Sequence, residues 1–325
     1  MNAVVVFAPS PILTVTIEDH PDAPDIHVHA GGQGVWQGRM LQALGAQVTM
    51  CCTLSGETGT VLEHLLNDEG FRVLAVRRSA RGAAYVHDRR GGDRIALAEV
   101  GGAPLSRHEL DELYGLTLRA GLECGTAILS GPMGADELPP DLYRRLASDL
   151  RSAGCTVIAD LAGERLEAAI NGGVDVLKVS DEELKDDRIV DNTEEETLIA
   201  AMHILREKGV GHVIVTRSHE PALLLADGIV NEVHMPRMEA VDTSGAGDSL
   251  TAGVAATLAS GGSIEEAVCL GAAAGALNVT RHGLGTGQAE TVRKLCERVR
   301  LQPAESGAAM MRLSPEELAK RVHER

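Results

Sequence analysis

The chain has 325 residues, 44% of them hydrophobic, and 30 Lys and Arg against 47 Asp and Glu give it a net charge of −17. That length buries one large α/β domain, or a main domain with a small appendage, and the charge excludes nucleic acid or anionic membranes as partners held by bulk electrostatics. With one Trp, three Tyr and two Phe, the core must be built from Ala, Val, Leu and Ile, which suits closely packed parallel strands and helices.

Residues 3–8 form a β-branched apolar strand with no basic residue ahead of it, so the N-terminus reads as strand and not as a signal peptide. Pro9-Ser10-Pro11 must leave the sheet. Residues 13–30 alternate polar and apolar, as strands exposed on one face do. Gly31-Gly32-Gln33-Gly34 opens a helix through Leu44 that Gly45 ends; alone, these glycines are equally a simple turn. Strand 47–53 follows, then Gly56-Glu57-Thr58-Gly59, a helix over 60–69 and a strand over 71–77. The six cysteines, Cys51 and Cys52 adjacent among them, have neither metal nor disulfide-framework spacing, which predicts free thiols in a reducing cytoplasm. No apolar run reaches the roughly 18 residues that a membrane span needs.

Residues 82–100 read as a hairpin about Gly91-Gly92. Arg77, Arg78, Arg81, Arg89 and Arg90 cluster around its start and are the best candidates for a local anion patch. Arg81 taken alone fits a solvated side chain as well as a ligand. Helix 107–120, strand 126–130, helix 140–153, strand 155–160, helix 164–171 and strand 174–179 then alternate. That spacing specifies a parallel sheet with ligands at the strand C-termini, where Ser130-Gly131 and Asp160 to Gly163 fall. Asp181-Glu182-Glu183 suits either a helix first turn or a metal. Strand 212–216 ends in Thr216-Arg217-Ser218-His219, and Asp227-Gly228 turns a hairpin.

Asp242-Thr243-Ser244-Gly245-Ala246-Gly247-Asp248 precedes a small-residue helix from about Asp248, and residues 266–281 form another. Two glycines around a small Ala let the backbone approach a ligand closely, and the N–H groups that open a helix favour an anion. A carboxylate there is either a helix cap or the base that deprotonates a hydroxyl attacking a phosphoryl group.

This stretch resembles the D-T-x-G-A-G-D motif of the ribokinase-like (PfkB) carbohydrate kinases. The chain is similar to that family over about residues 3–300, nearest to the branch with 1-phosphofructokinase and tagatose-6-phosphate kinase. The resemblance implies a three-layer α/β fold with a mostly parallel central sheet. A small β lid, from strands about 12–30 and 82–100, is inserted in a kinase domain of residues 1–300, and residues 301–325 form an extension. It implies Asp248 as catalytic base and Gly245, Ala246 and Gly247 as the anion hole. Lys178, Thr216, Ser218, Thr243, Gly245, Gly247 and Asn278 would contact ATP. Glu183 would hold Mg²⁺ through water, and Asp242 with loop 283–287 would hold a monovalent cation, K⁺. The acceptor would meet Thr14, Gly31, Gly32, Gln33, Trp36, Arg81 and Ser130.

Several positions depart from the family pattern. Gln33 stands for Lys and Trp36 for Asn in G-G-K-G-x-N, Thr14 for the sugar-gripping Asp, and Ser180 for Asn in K-P-N-x-x-E-L. Ser218 and Pro221 stand for two glycines beside the nucleotide. Trp36, the only Trp, would offer a stacking face. The implied function is ATP- and Mg²⁺-dependent phosphorylation of a hydroxyl on a sugar, sugar phosphate or sugar-like molecule, by a cytoplasmic homodimer joined through lid edges. The alternative is a catalytically weak ligand-binding protein on the same fold. A nicotinamide-dependent oxidoreductase is excluded, because no G-x-G-x-x-G follows the first strand.

Overall fold

Alternation along the first strand sets the layering. In β1 (Ala3–Phe7), Val5 and Phe7 enter one hydrophobic cluster while Val4 and Val6 enter another on the opposite face, the pattern of a strand buried on both sides. The computed structural model describes residues 2–132, 134, 137–236, 238–304 and 314–322. In it β1 lies between two parallel neighbours, β4 (Gln47–Ser55) and β8 (Thr126–Ser130). Beyond β4 is β5 (Arg72–Arg78); beyond β8 come β9 (Thr156–Asp160), β10 (Val176–Ser180) and β11 (His212–Arg217), all parallel. The far edge turns antiparallel through β12 (Glu220–Ala226), β13 (Ile229–His234) and β14 (Arg300–Pro303).

Helices cover both faces. α3 (Arg107–Cys124), α4 (Pro140–Ser152), α5 (Gly163–Gly172) and α7 (Glu195–Glu207) pack on the face of Phe7, with the short α6 (Asp181–Asp186) following β10. The other face carries α1 (Gln33–Ala43), α2 (Gly56–Asp68), α8 (Ala246–Ala259), α9 (Ile264–Val279) and α10 (Ala289–Cys296). Serine–glutamate capping boxes start α3, α6 and α9 at Ser106, Ser180 and Ser263, each satisfying two otherwise orphaned N–H groups. This is the three-layer α/β arrangement expected.

The lid is a separate four-stranded sheet in the order β3 (Asp25–Gly31), β2 (Ile12–Glu18), β6 (Ala84–Asp88), β7 (Ile95–Val100). Its register sorts the side chains by face. His29, Thr14, Tyr85 and Glu99 are lateral neighbours, as are His27, Thr16 and His87; one residue along, Val28, Val15, Val86 and Ala98 line up. The polar set faces the body of the protein, and Thr14 and Thr16 are buried. The apolar set faces out, leaving Ile26 62% and Ile95 57% exposed.

Three details differ from expectation. α2 begins at Gly56, where φ of +56° lets β4 turn directly into the helix. β11 runs to Arg217, one residue beyond the expected strand 212–216, and Ser218 and His219 form a tight turn into β12. Of the extension, β14 joins the central sheet and α11 (Pro315–Val322) buries Leu318 and Val322 beside α7; residues 305–313 and 323–325 lie outside the described residues.

Candidate active site

Strand register places Ser130, Asp160 and Lys178 side by side at the C-terminal ends of β8, β9 and β10. Each is almost completely buried, so their polar atoms must satisfy one another. Lys178 Nζ donates to Asp160 Oδ1 at 3.1 Å, and Thr251 Oγ1 donates to Asp160 Oδ2 at 2.7 Å. Gln37, on the buried side of α1, closes the network. Its Nε2 lies 3.1 Å from Asp160 Oδ2 and 3.4 Å from Asp248 Oδ1, and its Oε1 accepts the Ser130 hydroxyl at 2.5 Å.

Asp248 is the third residue of α8. Gly245 caps that helix with φ +74°, in the left-handed region that a side chain rarely enters. A Cβ on Gly247 would lie 2.6 Å from Lys178 Nζ, so the second glycine leaves room for the lysine. The N–H groups of Gly247 and Asp248 thus open a helix beside Lys178, an arrangement that favours an anion. Burial and the Asp160 carboxylate push the Asp248 pKa up, to about 8, against the pull of Lys178. Burial disfavours the Lys178 charge, but Asp160, Glu183 and Asp248 together outweigh it and raise its pKa. The site therefore holds a fixed ammonium beside a carboxyl group that exchanges its proton near neutral pH.

A cleft of about 780 Å³ lies between the lid and the sheet ends. Its walls include Thr14, Gly31, Gly32, Gln33 and Trp36, and Trp36 is half-buried. The lid adds His27, His29, Tyr85 and His87, with Tyr85 stacked on His87 at 4.9 Å. Burial, then Arg39, hold the His29 pKa down at about 4, so its ring is neutral and hydrogen-bonds without charge. Gln33 is also a staple. Its Nε2 donates to Asp160 O at 3.2 Å, and its Oε1 accepts the Gly131 N–H at 2.9 Å.

Other expected residues stand elsewhere or act through others. Arg81 is exposed and is not among the residues lining the cleft, which has Arg39, Arg89 and Arg94 instead. The expected anion patch is split up by pairing: Arg77 with Glu63, Arg78 with Glu109, Arg90 with Asp88. Ser130 is fully buried and is not among the residues lining the cleft; its hydroxyl donates to Gln37, and the next residue, Gly131, is part of the wall. Glu183 Oε2 accepts the Ser180 N–H and hydroxyl in the capping box. Thr216 lies beside Ser180 at the end of β11, and Ser218 is exposed in the following turn. Thr243 is exposed, and its carbonyl accepts the Ala246 N–H. Asn278 is fully buried and joins two loops, donating to Ser244 O at 2.7 Å and accepting the Gly285 N–H at 2.9 Å. Asp242 meets Arg94 and Arg89.

Gln37, Asp160 and Thr251 escaped the expected site list. Gln37 carried a signal, because it is polar in the otherwise apolar stripe Gly34, Gln37, Gly38, Leu41 of α1. Among the described residues no three His, Cys, Asp or Glu side chains form a metal cage. The carboxylates of Asp160, Glu183 and Asp248 around Lys178 are nonetheless hard oxygen donors, which fit a Mg²⁺ carried on nucleotide phosphates with most of its water shell retained.

The chain matches the pfkB family of carbohydrate kinases over residues 5–291. It is 30% identical over 283 residues, 85% of this chain and 81% of the relative, to the ATP-dependent 6-phosphofructokinase isozyme 2 of Mycobacterium tuberculosis. It is 27% identical to the 1-phosphofructokinase of Escherichia coli, over 85% of this chain and 88% of that protein. Among solved structures it is similar to phosphofructokinase-2 from Escherichia coli in complex with potassium, with a TM-score of 0.76 and 25% identity over 91% of this chain and 98% of that one. The family match spans both halves of the cleft and the Asp248 loop, and the chain belongs to the pfkB family of carbohydrate kinases, phosphotransferases with an alcohol group as acceptor.

Proposed function

We propose that this kinase moves the γ-phosphoryl group of ATP to a hydroxyl of a sugar or sugar phosphate seated under the lid, with Asp248 as the base. The observation that carries this reading is the meeting of Asp248, Lys178 and the first N–H groups of α8 in one buried network around Asp160, to which the cleft residue Gln33 is hydrogen-bonded. Asp248 accepts the hydroxyl proton as the oxygen attacks phosphorus, and the N–H groups of Gly245 to Gly247 stabilise charge on the phosphoryl oxygens. Lys178 neutralises the phosphates from the far side, and Thr216 and Ser218 border the nucleotide. Asn278 keeps the Ser244 loop in register with its neighbour. Glu183 and Asp160 are the carboxylates that would order the water of a Mg²⁺ carried with ATP, which would offset the phosphate charge.

Trp36 supplies an apolar face, and Thr14, Gln33 and the neutral His29 supply donors and acceptors for hydroxyls. The expected role of Arg81 finds no support in its outward position. The outward apolar face of the lid supports a homodimer. Six free cysteines agree with a reducing, cytoplasmic setting.

The test is ATP consumption with Mg²⁺ across a panel of sugars and phosphosugars, including fructose 6-phosphate, fructose 1-phosphate and tagatose 6-phosphate. Turnover is expected on at least one, with Asp248→Asn falling a thousandfold or more while still binding ATP. Retained turnover in Asp248→Asn removes it as the base. MgATP binding without turnover of any acceptor would favour the binding-protein alternative.

A further inference from the structure

The lid turn makes a contact that phosphoryl transfer as described does not use. Arg89 and Arg94 flank the Gly91-Gly92 turn and both reach to the first residue of the catalytic loop. Arg94 Nη2 lies 3.0 Å and Arg89 Nη1 3.5 Å from Asp242 Oδ2. Asp242 Oδ1 accepts the Ser244 N–H at 3.0 Å. Arg89 Nη2 is also 3.2 Å from His282 Nδ1, and the Val241 and Asp242 N–H groups donate to Val279 O. The Arg89 and Asp242 side chains are 10% and 12% exposed, unlike the solvated surface pairs that contribute little. Three segments distant in sequence, the lid turn, the Asp242 loop and the end of α9 with the loop after it, thus meet around the Arg89–Asp242 pair.

An alkali cation at this corner would need oxygen donors free of competing positive charge. Both Asp242 oxygens are already engaged, and a K⁺ ion would sit against two guanidinium groups. The donor set does not fit K⁺. We propose that Arg89 and Arg94 act as a tethered cation on Asp242, so that this chain works without an alkali ion and relies on its lid hairpin instead. The proposal rests on the kinase reading above. Its physical content is charge and shape. An uncompensated Asp242 carboxylate would repel the ATP phosphates beside the Gly245–Gly247 backbone. Held by the two arginines, it keeps the Ser244 turn in place and loses its repulsion.

The test compares the full chain in potassium chloride and in tetramethylammonium chloride at equal ionic strength, reading melting temperature without nucleotide and MgATP affinity by calorimetry. Wild type is expected to melt at the same temperature and bind MgATP within twofold in both salts. The Arg89→Ala/Arg94→Ala variant is expected to bind MgATP at least tenfold more weakly in tetramethylammonium and to recover part of that loss, with a higher melting temperature, in potassium. A wild type that K⁺ stabilises or tightens tenfold overturns the proposal, and so does a double variant indistinguishable from wild type in both salts. If the variant fails to fold, the wild-type salt comparison decides. Absence of MgATP binding in every salt would instead refute the kinase reading, leaving the melting comparison to decide this one.

Discussion

Asp248 and Gln37 define how the centre handles a proton. Burial and the Asp160 charge make the Asp248 proton harder to remove, to a pKa of about 8, while the Gln37 amide pulls in the opposite direction. As the proposed base, Asp248 must be ionised to act, so kcat/KM, which reports the free enzyme, is expected to rise with pH and level off above about 8. Gln37→Leu removes the donor that favours the carboxylate. It should move that rise to higher pH and lower kcat about tenfold at pH 7, with Gln37→Asn recovering part of the loss. A merely structural role for Gln37 would lower activity evenly at every pH, and a pH–rate series on both variants distinguishes the two. The same shift couples to stability. A carboxyl group whose pKa is raised by folding favours the folded state below its unfolded value near 4 and loses that contribution as pH rises to about 8.

At the scale of elements, the α8–α9 pair fixes where Asp248 points. A Cβ on Gly253 of α8 would come within 2.5 Å of Gly271 Cα in α9, so the helices approach at a distance that only glycine permits. Gly253→Ala should overpack this contact and cost about 1–3 kcal/mol, read as a lower melting temperature with the ATP-binding loop disturbed. An unchanged melting temperature would show that the two helices separate freely.

These elements were legible in different degrees. Strand β1, the lid strands and the alternating helices follow directly from apolar periodicity and Gly punctuation, and the Gly245 and Gly247 turn into α8 is written in the Asp242–Asp248 stretch. The Gln37–Asp160–Lys178 network was not legible, because its members come from α1, β9 and β10 and become neighbours only through strand order and register. Arg81 shows the converse. The family resemblance placed it against the acceptor, but here it is exposed and does not line the cleft, whereas Arg89 and Arg94 at the hairpin turn do.

For the whole molecule, the lid raises a question of assembly. Ile26, Ile95 and Leu97 are each more than half exposed on its edge strands, and neither edge, β3 nor β7, is paired. Exposed apolar faces with bare edges mark association sites, and a second copy of the same sheet is the complementary surface we expect. Light scattering should give a dimer for the wild type, and Ile26→Glu should shift it toward monomer with the fold intact. A monomeric wild type at micromolar concentration would refute the arrangement.

The lid strands carry two vocabularies on alternate residues. Thr14, Thr16, His27 and His29 line the cleft, while Val15, Ile17 and Ile26 lie on the other face of the same backbone. Point substitutions can therefore retune either one without touching the other, which lets acceptor preference drift while the assembly is conserved. A single inserted or deleted residue within β2 would exchange its two sets at a stroke, putting Val15 and Ile17 on the cleft side and Thr14 and Thr16 on the outer face. Descent in this lid should proceed by substitution, with length changes confined to the turns at residues 19–24 and 89–94.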